Sequence, residues 1–272
     1  MKYIKIDIQT KGEGSLPPFI GSMLRGGFGV NLKRVVCINP NYECEGCFAK
    51  EECLYYKFYE ERNRFHNFRF DFPLYPKKLD FSLYLFNDAT PKYPYVLSSL
   101  HRMITKEGLG RERKRYEIEL IKANDKVIYD DGKFKEIAIE PRHFFCEEYS
   151  PVAKVKLLTP LRIKREGRYV KPENLEAKDL LVSIYKKRRF FDGEIAEIAS
   201  FPETVMKDLK FQDFTRYSNR QKTKMKVGGI LGELLLKDLT PQTYELLKFG
   251  EIVGVGKLGT FGLGKIEVEP LV

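Results

Sequence analysis

Gly262-Leu263-Gly264-Lys265-Ile266-Glu267-Val268-Glu269 decides the fold once it is set beside Gly108-Leu109-Gly110 and the later Tyr116-Glu117-Ile118-Glu119-Leu120. Each is a Gly-Leu-Gly triplet that leads to a run of alternating apolar and charged residues. Alternation with period two marks a half-buried strand. Each triplet also follows a helical stretch: Val96, Leu97, Leu100, Met103 and Ile104 before the first, residues 241–252 before the second. The same signal recurring in the same element order indicates a duplicated unit.

Working outward fills in both halves. Ile4, Ile6 and Ile8 alternate with Lys5 and Asp7, a first strand, and Ile20, Leu24, Phe28 and Leu32 recur every fourth residue, predicting a helix over 17–36. Phe68, Phe70 and Phe72 face away from Arg69 and Asp71, and Phe81, Leu83 and Leu85 form the next strand. The tally is β-α-β-β-α-β, the ferredoxin-like order. In the second half Val155 and Leu157 alternate with Lys154 and Lys156, and Leu180, Leu181 and Ile184 mark a helix. Strands are expected near 211–218 and 226–236. The sequence therefore predicts an α+β chain of two tandem ferredoxin-like (RRM-like) domains, 1–148 and 149–272. The first carries a Cys-rich insertion over 37–53, the second a Gly-rich loop over 254–264.

The chain has 272 residues, 43% hydrophobic and 32% charged, which excludes disorder and collagen-like repeats. No apolar run approaches the ~18 residues that cross a bilayer. The start, Met1-Lys2-Tyr3-Ile4, has no signal-peptide core, so a cytoplasmic protein without membrane contact is expected. Against 38 acids stand 48 Lys and Arg, a net charge of +10 that favours a polyanion such as nucleic acid. Sixteen Tyr and 20 Phe supply rings for base stacking, although most must be core.

Three segments carry chemistry. In the loop 254–264, Gly254, Gly256, Gly259, Gly262 and Gly264 leave backbone N–H groups accessible and Lys257 adds a cation, so the loop reads either as a phosphate cradle or as a tight turn needed for packing. It lacks the spacing of a P-loop, and it precedes a strand, unlike a dinucleotide fingerprint. Cys37, Cys44, Cys47 and Cys53 give C-x6-C-x2-C-x5-C, while Cys146 stands apart. Four thiols so close together in a reducing compartment read as a structural metal site, best suited to tetrahedral Zn²⁺; an iron–sulfur cluster takes the same ligands, and no bound metal is the remaining alternative. Arg216, Arg220, Lys222, Lys224 and Lys226 fall in a stretch free of acids, and Lys186, Lys187, Arg188 and Arg189 lie together near the end of a helix. The first group reads as a phosphate-tracking stripe, and the second as either RNA contacts or complements of the helix dipole.

Arg216-Tyr217-Ser218-Asn219-Arg220-Gln221, Gly228-Gly229-Ile230-Leu231-Gly232 and the glycine loop through Phe261-Gly262-Leu263-Gly264 resemble the C-terminal domain of a CRISPR-associated family, the repeat-RNA processing endoribonucleases (Cas family six) of the RAMP superfamily. Thr159-Pro160-Leu161-Arg162-Ile163 and Leu24-Arg25-Gly26-Gly27-Phe28-Gly29 with its trailing cysteines are similar to the same family. The resemblance implies tandem ferredoxin-like domains and metal-independent cleavage within repeats of precursor CRISPR RNA. A base removes the 2′-OH proton, the oxygen attacks the adjacent phosphate, and the products are a 5′-OH and a 2′,3′-cyclic or 3′ phosphate. Repeat RNA, and an interference complex beyond it, are the implied partners of a monomer or homodimer.

Many members of that family place a His in or soon after the first helix, but residues 17–36 contain none. Ser22, Arg25, Lys33 and Arg34 stand there instead, and His66 is the first His downstream. The expected catalytic residues are therefore His66 as general base with Arg25 and Ser22; His101 and His143 are weaker candidates. A non-cleaving RAMP protein that holds repeat or guide RNA is the alternative, and a zinc-stabilised general nucleic-acid binder the third reading.

Overall fold

A computed structural model describes residues 1–61, 64–218 and 223–271. It divides into two compact units, Lys2–His143 and Phe144–Val272 with Met1.

In the N-terminal unit β1 (Lys2–Thr10), α1 (Gly21–Val36), β2 (Phe68–Asp71), β3 (Phe81–Phe86), α2 (Tyr93–Arg102) and β4 (Ile118–Ala123) follow one another. β5 (Lys126–Asp130) and β6 (Lys133–Phe134) extend the sheet, and β7 (Arg142–His143) adds a short pair to β1. The strand order is β2-β3-β1-β4-β5-β6 with antiparallel neighbours, so the first strand lies between the third and the fourth. Ile4, Ile6 and Ile8 are buried, with Ile6 opposite Leu83 on one side and Ala123 on the other. Phe28 of α1 is the centre of the core. Its ring lies 5.9 Å from Phe68 and 5.7 Å from Phe70, both on β2, and 6.5 Å from Phe58. Such offset and edge-on pairs add to the burial of their area.

The C-terminal unit repeats the scheme. β8 (Ala153–Leu161), the small hairpin of β9 (Lys164–Arg165) and β10 (Arg168–Tyr169), α3 (Ala177–Asp192), β11 (Glu203–Ser218), β12 (Thr223–Lys237), α4 (Pro241–Val253) and β13 (Ile266–Pro270) follow in order. Its sheet runs β11-β12-β8-β13, again second-third-first-fourth and antiparallel throughout. Both units thus have the ferredoxin-like strand order. α4 closes on its neighbours at Gly250, where a Cβ would lie 2.7 Å from Ile184 on α3 and 3.2 Å from Ile266 on β13.

The differences from the sequence reading have local causes. α1 begins at Gly21 rather than residue 17, because Pro18 biases Pro17 away from helical geometry. The fourth strand occupies 118–123 rather than 116–120, and its partner β5 was not foreseen. Asn124 and Asp125, at φ +48° and +67°, make the two-residue turn between them. β2 is covered on both faces: Arg69 is buried and its guanidinium lies 5.4 Å from the Tyr84 ring. Two glycines of α1 make room for neighbouring side chains. A Cβ on Gly27 would meet Leu109 at 2.7 Å and one on Gly29 would meet Tyr59 at 2.6 Å, while Gly26 faces open space.

Phe28→Ala is expected to lower the unfolding free energy of the N-terminal unit by about 3–5 kcal/mol. Urea denaturation followed by far-UV circular dichroism measures the loss.

Candidate functional site

The residues around α1 form an ordered stack. Arg25, Gly29 and Lys33 are four apart and so share a face of the helix. The following segment, with its helical turn Tyr56–Glu60, lays two tyrosines on that face. Tyr59 fits over Gly29 because no side chain occupies that position, and its hydroxyl donates to the Arg25 carbonyl at 2.7 Å. The Arg25 guanidinium lies 4.6 Å from the Tyr59 ring centre, and Lys33 Nζ lies 4.8 Å from that of Tyr55. The two rings are themselves stacked, 5.3 Å apart and 8° from parallel. Burial pushes the Tyr59 phenol far above its ordinary pKa, so it stays protonated at physiological pH.

His66 adjoins this stack. It is half-buried, packs 6.2 Å from Phe68, and its Nδ1 lies 3.3 Å from the Lys57 carbonyl. A carbonyl only accepts, so Nδ1 carries the proton in the neutral ring and Nε2 is left as the bare lone pair. Burial is the main cause that lowers the His66 pKa, and the nearby Arg25 charge lowers it further. The structure thus brings together two of the three expected catalytic residues, His66 and Arg25. Ser22 lies one turn earlier on α1, its Oγ buried and without a hydrogen-bond partner among the described residues. His101 is a packing residue, its ring 5.7 Å from Tyr129 and 5.5 Å from Phe134. His143 is exposed in β7.

The four cysteines between α1 and β2 are all unpaired. They line one cavity of about 170 Å³. As placed, no three or more Cys, His, Asp or Glu side chains among the described residues converge to metal-ligand distance. A second cavity, about 390 Å³, opens beside them and is lined by Gly29, Val30, Lys33, Arg34, Tyr42 and Tyr55.

In the C-terminal unit the glycine loop is closed by its own hydrogen bonds. The Val255 N–H donates to the Gly264 carbonyl at 2.8 Å, Gly256 to Ser183 Oγ at 2.9 Å, Lys257 to the Arg162 carbonyl at 2.9 Å, and Gly264 to the Pro160 carbonyl at 3.2 Å. Gly254 and Gly262 donate to Gly250 and Gly259. The phosphate-cradle reading of Gly254, Gly256, Gly262 and Gly264 is therefore corrected, since their donors are already spent. The glycines are there for conformation: Gly264 has φ +73°, and a Cβ on it would sit 1.8 Å from the Val255 carbonyl oxygen. Lys257 and Leu258 at the tip are exposed.

Residues 155–266 match the model of the CRISPR-associated endoribonuclease Cas6, and residues 1–142 match the N-terminal domain model AF_1859_N. The C-terminal unit carries a Cas6 domain. An uncharacterized protein of Archaeoglobus fulgidus is 28% identical, over 93% of each chain. The whole fold is similar to a Cas6 product complex (TM-score 0.60, 16% identity, 99% of this chain and 100% of that one) and to Thermus thermophilus Cas6 (0.56, 15%, 98% and 97%). It is also similar to part of a partial Cas6-RT-Cas1–Cas2 complex, covering all of this chain and 46% of that one at a TM-score of 0.58 and 14% identity.

The Cas6 domain sorts the expected RNA-binding cations into distinct environments. Lys187 is buried, and its Nζ donates to the carbonyls of Val253 at 3.2 Å and Gly254 at 2.7 Å, holding the end of α4. Arg188 pairs with Asp192 and with Glu245 at 3.1 Å, and lies over the rings of Phe144 and Phe249. Both are corrected to structural residues, a possibility that a basic run at a helix end always carries. Arg189 is exposed, and Lys226 is exposed with Asp213 3.5 Å away. Arg220 and Lys222 lie outside the described residues, and for Arg216 and Lys224 only the backbone in β11 and β12 is described.

One feature of the Cas6 domain was missed. The β9–β10 hairpin turns at Glu166 and Gly167, both at positive φ, and presents Tyr169 with two cations over one ring: Arg162 at 4.5 Å and Lys164 at 4.9 Å. Arg162 is the residue whose carbonyl holds Lys257, so the hairpin base and the loop tip form one exposed basic surface. The signal was legible as a two-residue turn ending in Gly between basic residues.

Lys187→Met is expected to cost about 2–3 kcal/mol of stability, because it strands two buried carbonyls. Lys186→Ala, at an exposed position, leaves stability unchanged; thermal melts of the two variants make the comparison.

Proposed function

We propose that this chain is a metal-independent endoribonuclease that cuts within the repeats of precursor CRISPR RNA and releases mature guide RNA. The observation that carries the proposal is the Cas6 match over 155–266. The His66–Arg25 neighbourhood supports the chemistry. His66 Nε2 takes the proton from the 2′-OH, and the freed oxygen attacks phosphorus. The bond to the 5′-oxygen breaks, that oxygen gains a proton, and a 2′,3′-cyclic phosphate and a 5′-OH remain. Arg25 neutralises the charge that builds on the non-bridging oxygens. A base held below the ordinary imidazole value is neutral at physiological pH, as this role requires.

Repeat RNA is the first partner in this reading. The exposed surface of Lys164, Arg168, Tyr169 and Lys257, with the half-buried Arg162 beside it, suits a single strand, with cations for phosphates and a ring for a base. The runner-up, a RAMP protein that holds RNA without cutting it, is favoured by the absence of His from α1.

End-labelled repeat RNA incubated with the protein in excess EDTA decides between them. A single cut that survives EDTA and disappears when one nucleotide is 2′-deoxy supports the nuclease, whereas tight binding with no cut supports the holder; circular dichroism checks that EDTA leaves the protein folded. His66→Ala is expected to slow cleavage by about 10²–10⁴-fold. The pH profile of kcat/KM should show an acid limb with its midpoint below 6.5, the ordinary histidine value, and Arg25→Met should raise that midpoint as it removes a neighbouring positive charge.

Tyr169→Ala is expected to weaken RNA binding by about 1–3 kcal/mol. Lys164→Ala should flatten the dependence of log K on log salt by about 0.7. Fluorescence anisotropy across a salt series reads both effects.

A further inference from the structure

We infer that Cys37, Cys44, Cys47 and Cys53 hold one tetrahedral Zn²⁺ ion, a structural site outside the cleavage chemistry. The motif alone is a sequence pattern, and the structure adds two observations to it.

The first is convergence on one space. All four cysteines line the same cavity of about 170 Å³, although they come from two sources. Cys37 is the residue that ends α1, where its N–H donates to the Lys33 carbonyl at 2.9 Å. The other three belong to a chain of tight turns. Cys47 N–H bonds to the Cys44 carbonyl (3.4 Å), Lys50 N–H to Cys47 (3.3 Å), and Cys53 N–H to Lys50 (3.3 Å). Turns repeated every three residues bring the side chains at i and i+3 onto the same side. Cys44, Cys47 and Cys53 therefore share one side of this coil, with Lys50 between them. Gly46, at φ +68°, gives the Cys44–Cys47 knuckle its bend.

The second observation is what the segment lacks. No residue from 37 to 53 is buried, and its side chains Ile38, Tyr42 and Phe48 are 67%, 48% and 84% exposed. A stretch with no core of its own needs a staple, and disulfides are not what holds it, because all four thiols are unpaired. The charges at the cavity do not decide the matter: Lys50 shares the lining with Glu43 and Glu52, and Lys33 lies near Cys44.

As placed, the sulfurs among the described residues stop short of ligand distance. Metal binding of this kind is coupled to local folding, and a finished site rarely exists beforehand. Zn–S bonds of about 2.3 Å require the four sulfurs to draw together as the ion binds. Cys146 belongs to the other unit and takes no part.

The test uses the full chain, purified under reductant without chelator, and no RNA, so its result is independent of the nuclease reading. Elemental analysis is expected to find about one zinc per chain. After zinc removal, titration with Co²⁺ should give the d–d bands of a tetrahedral ion and intense thiolate-to-cobalt charge transfer. Cys44→Ser and Cys47→Ser should abolish these signals, while Cys146→Ser retains them. As a readout that needs no variant, alkylation of the zinc-loaded protein should label Cys146 quickly and the other four cysteines slowly, and the protection should vanish when a chelator is added. Iron with acid-labile sulfide, octahedral Co²⁺ bands, or equal alkylation of all five thiols in protein incubated with excess Zn²⁺ would each overturn the assignment.

Discussion

Each sheet hangs on a first strand that must be paired on both edges before any other strand has a place. β1 lies between β3 and β4, and β8 between β12 and β13. A central strand of this kind can offer only one face to a helical layer, so its alternation has to be strict. Ile4, Ile6 and Ile8 meet that demand in one unit, and Ala153, Val155 and Leu157 in the other. The opposite face of β8 is occupied by ion pairs, Lys154 with Glu233 and Lys156 with Glu269, that cross to the strands on either side. The residues proposed for cleavage and RNA contact lie outside these central strands, on α1 and in the connecting segments.

The N-terminal site is an example of a position created by an omission. A side chain at Gly29 would push Tyr59 off α1 and with it the stacked Tyr55, and the order of Arg25, Tyr59, Tyr55 and Lys33 would be lost. The helix accepts a residue that costs about 1 kcal/mol relative to Ala in exchange for that contact. His66 then follows at the end of the same segment, with its Nδ1 tied to Lys57 and Arg25 near enough to depress its pKa.

Periodicity carried the fold because both halves repeat one pattern, and the order of elements could be read from Ile4 to Glu269 without tertiary information. What escaped was non-periodic. The β4–β5 turn at Asn124-Asp125 and the β9–β10 turn at Glu166-Gly167 are two-residue events, visible only through the backbone sign they impose. Burial of Lys187 was also hidden, since a run of Lys186-Lys187-Arg188-Arg189 looks uniformly solvated until helix phase turns one member inward. His66 and Arg25 are 41 positions apart in a segment without regular spacing, and only the approach of Tyr59 to α1 shows why they share a neighbourhood.

The saturated hydrogen bonding of the glycine loop has a genetic consequence. Because the loop holds its shape through bonds to Ser183, Arg162 and Pro160, alleles at Gly254, Gly256, Gly262 and Gly264 should act as heat-sensitive folding defects and not as selective losses of recognition. A selection scored only by loss of activity would crowd its hits there and mark the loop as the binding centre. The exposed hairpin of β9 and β10, where side chains change without disturbing the backbone, would yield subtler alleles that are easily overlooked.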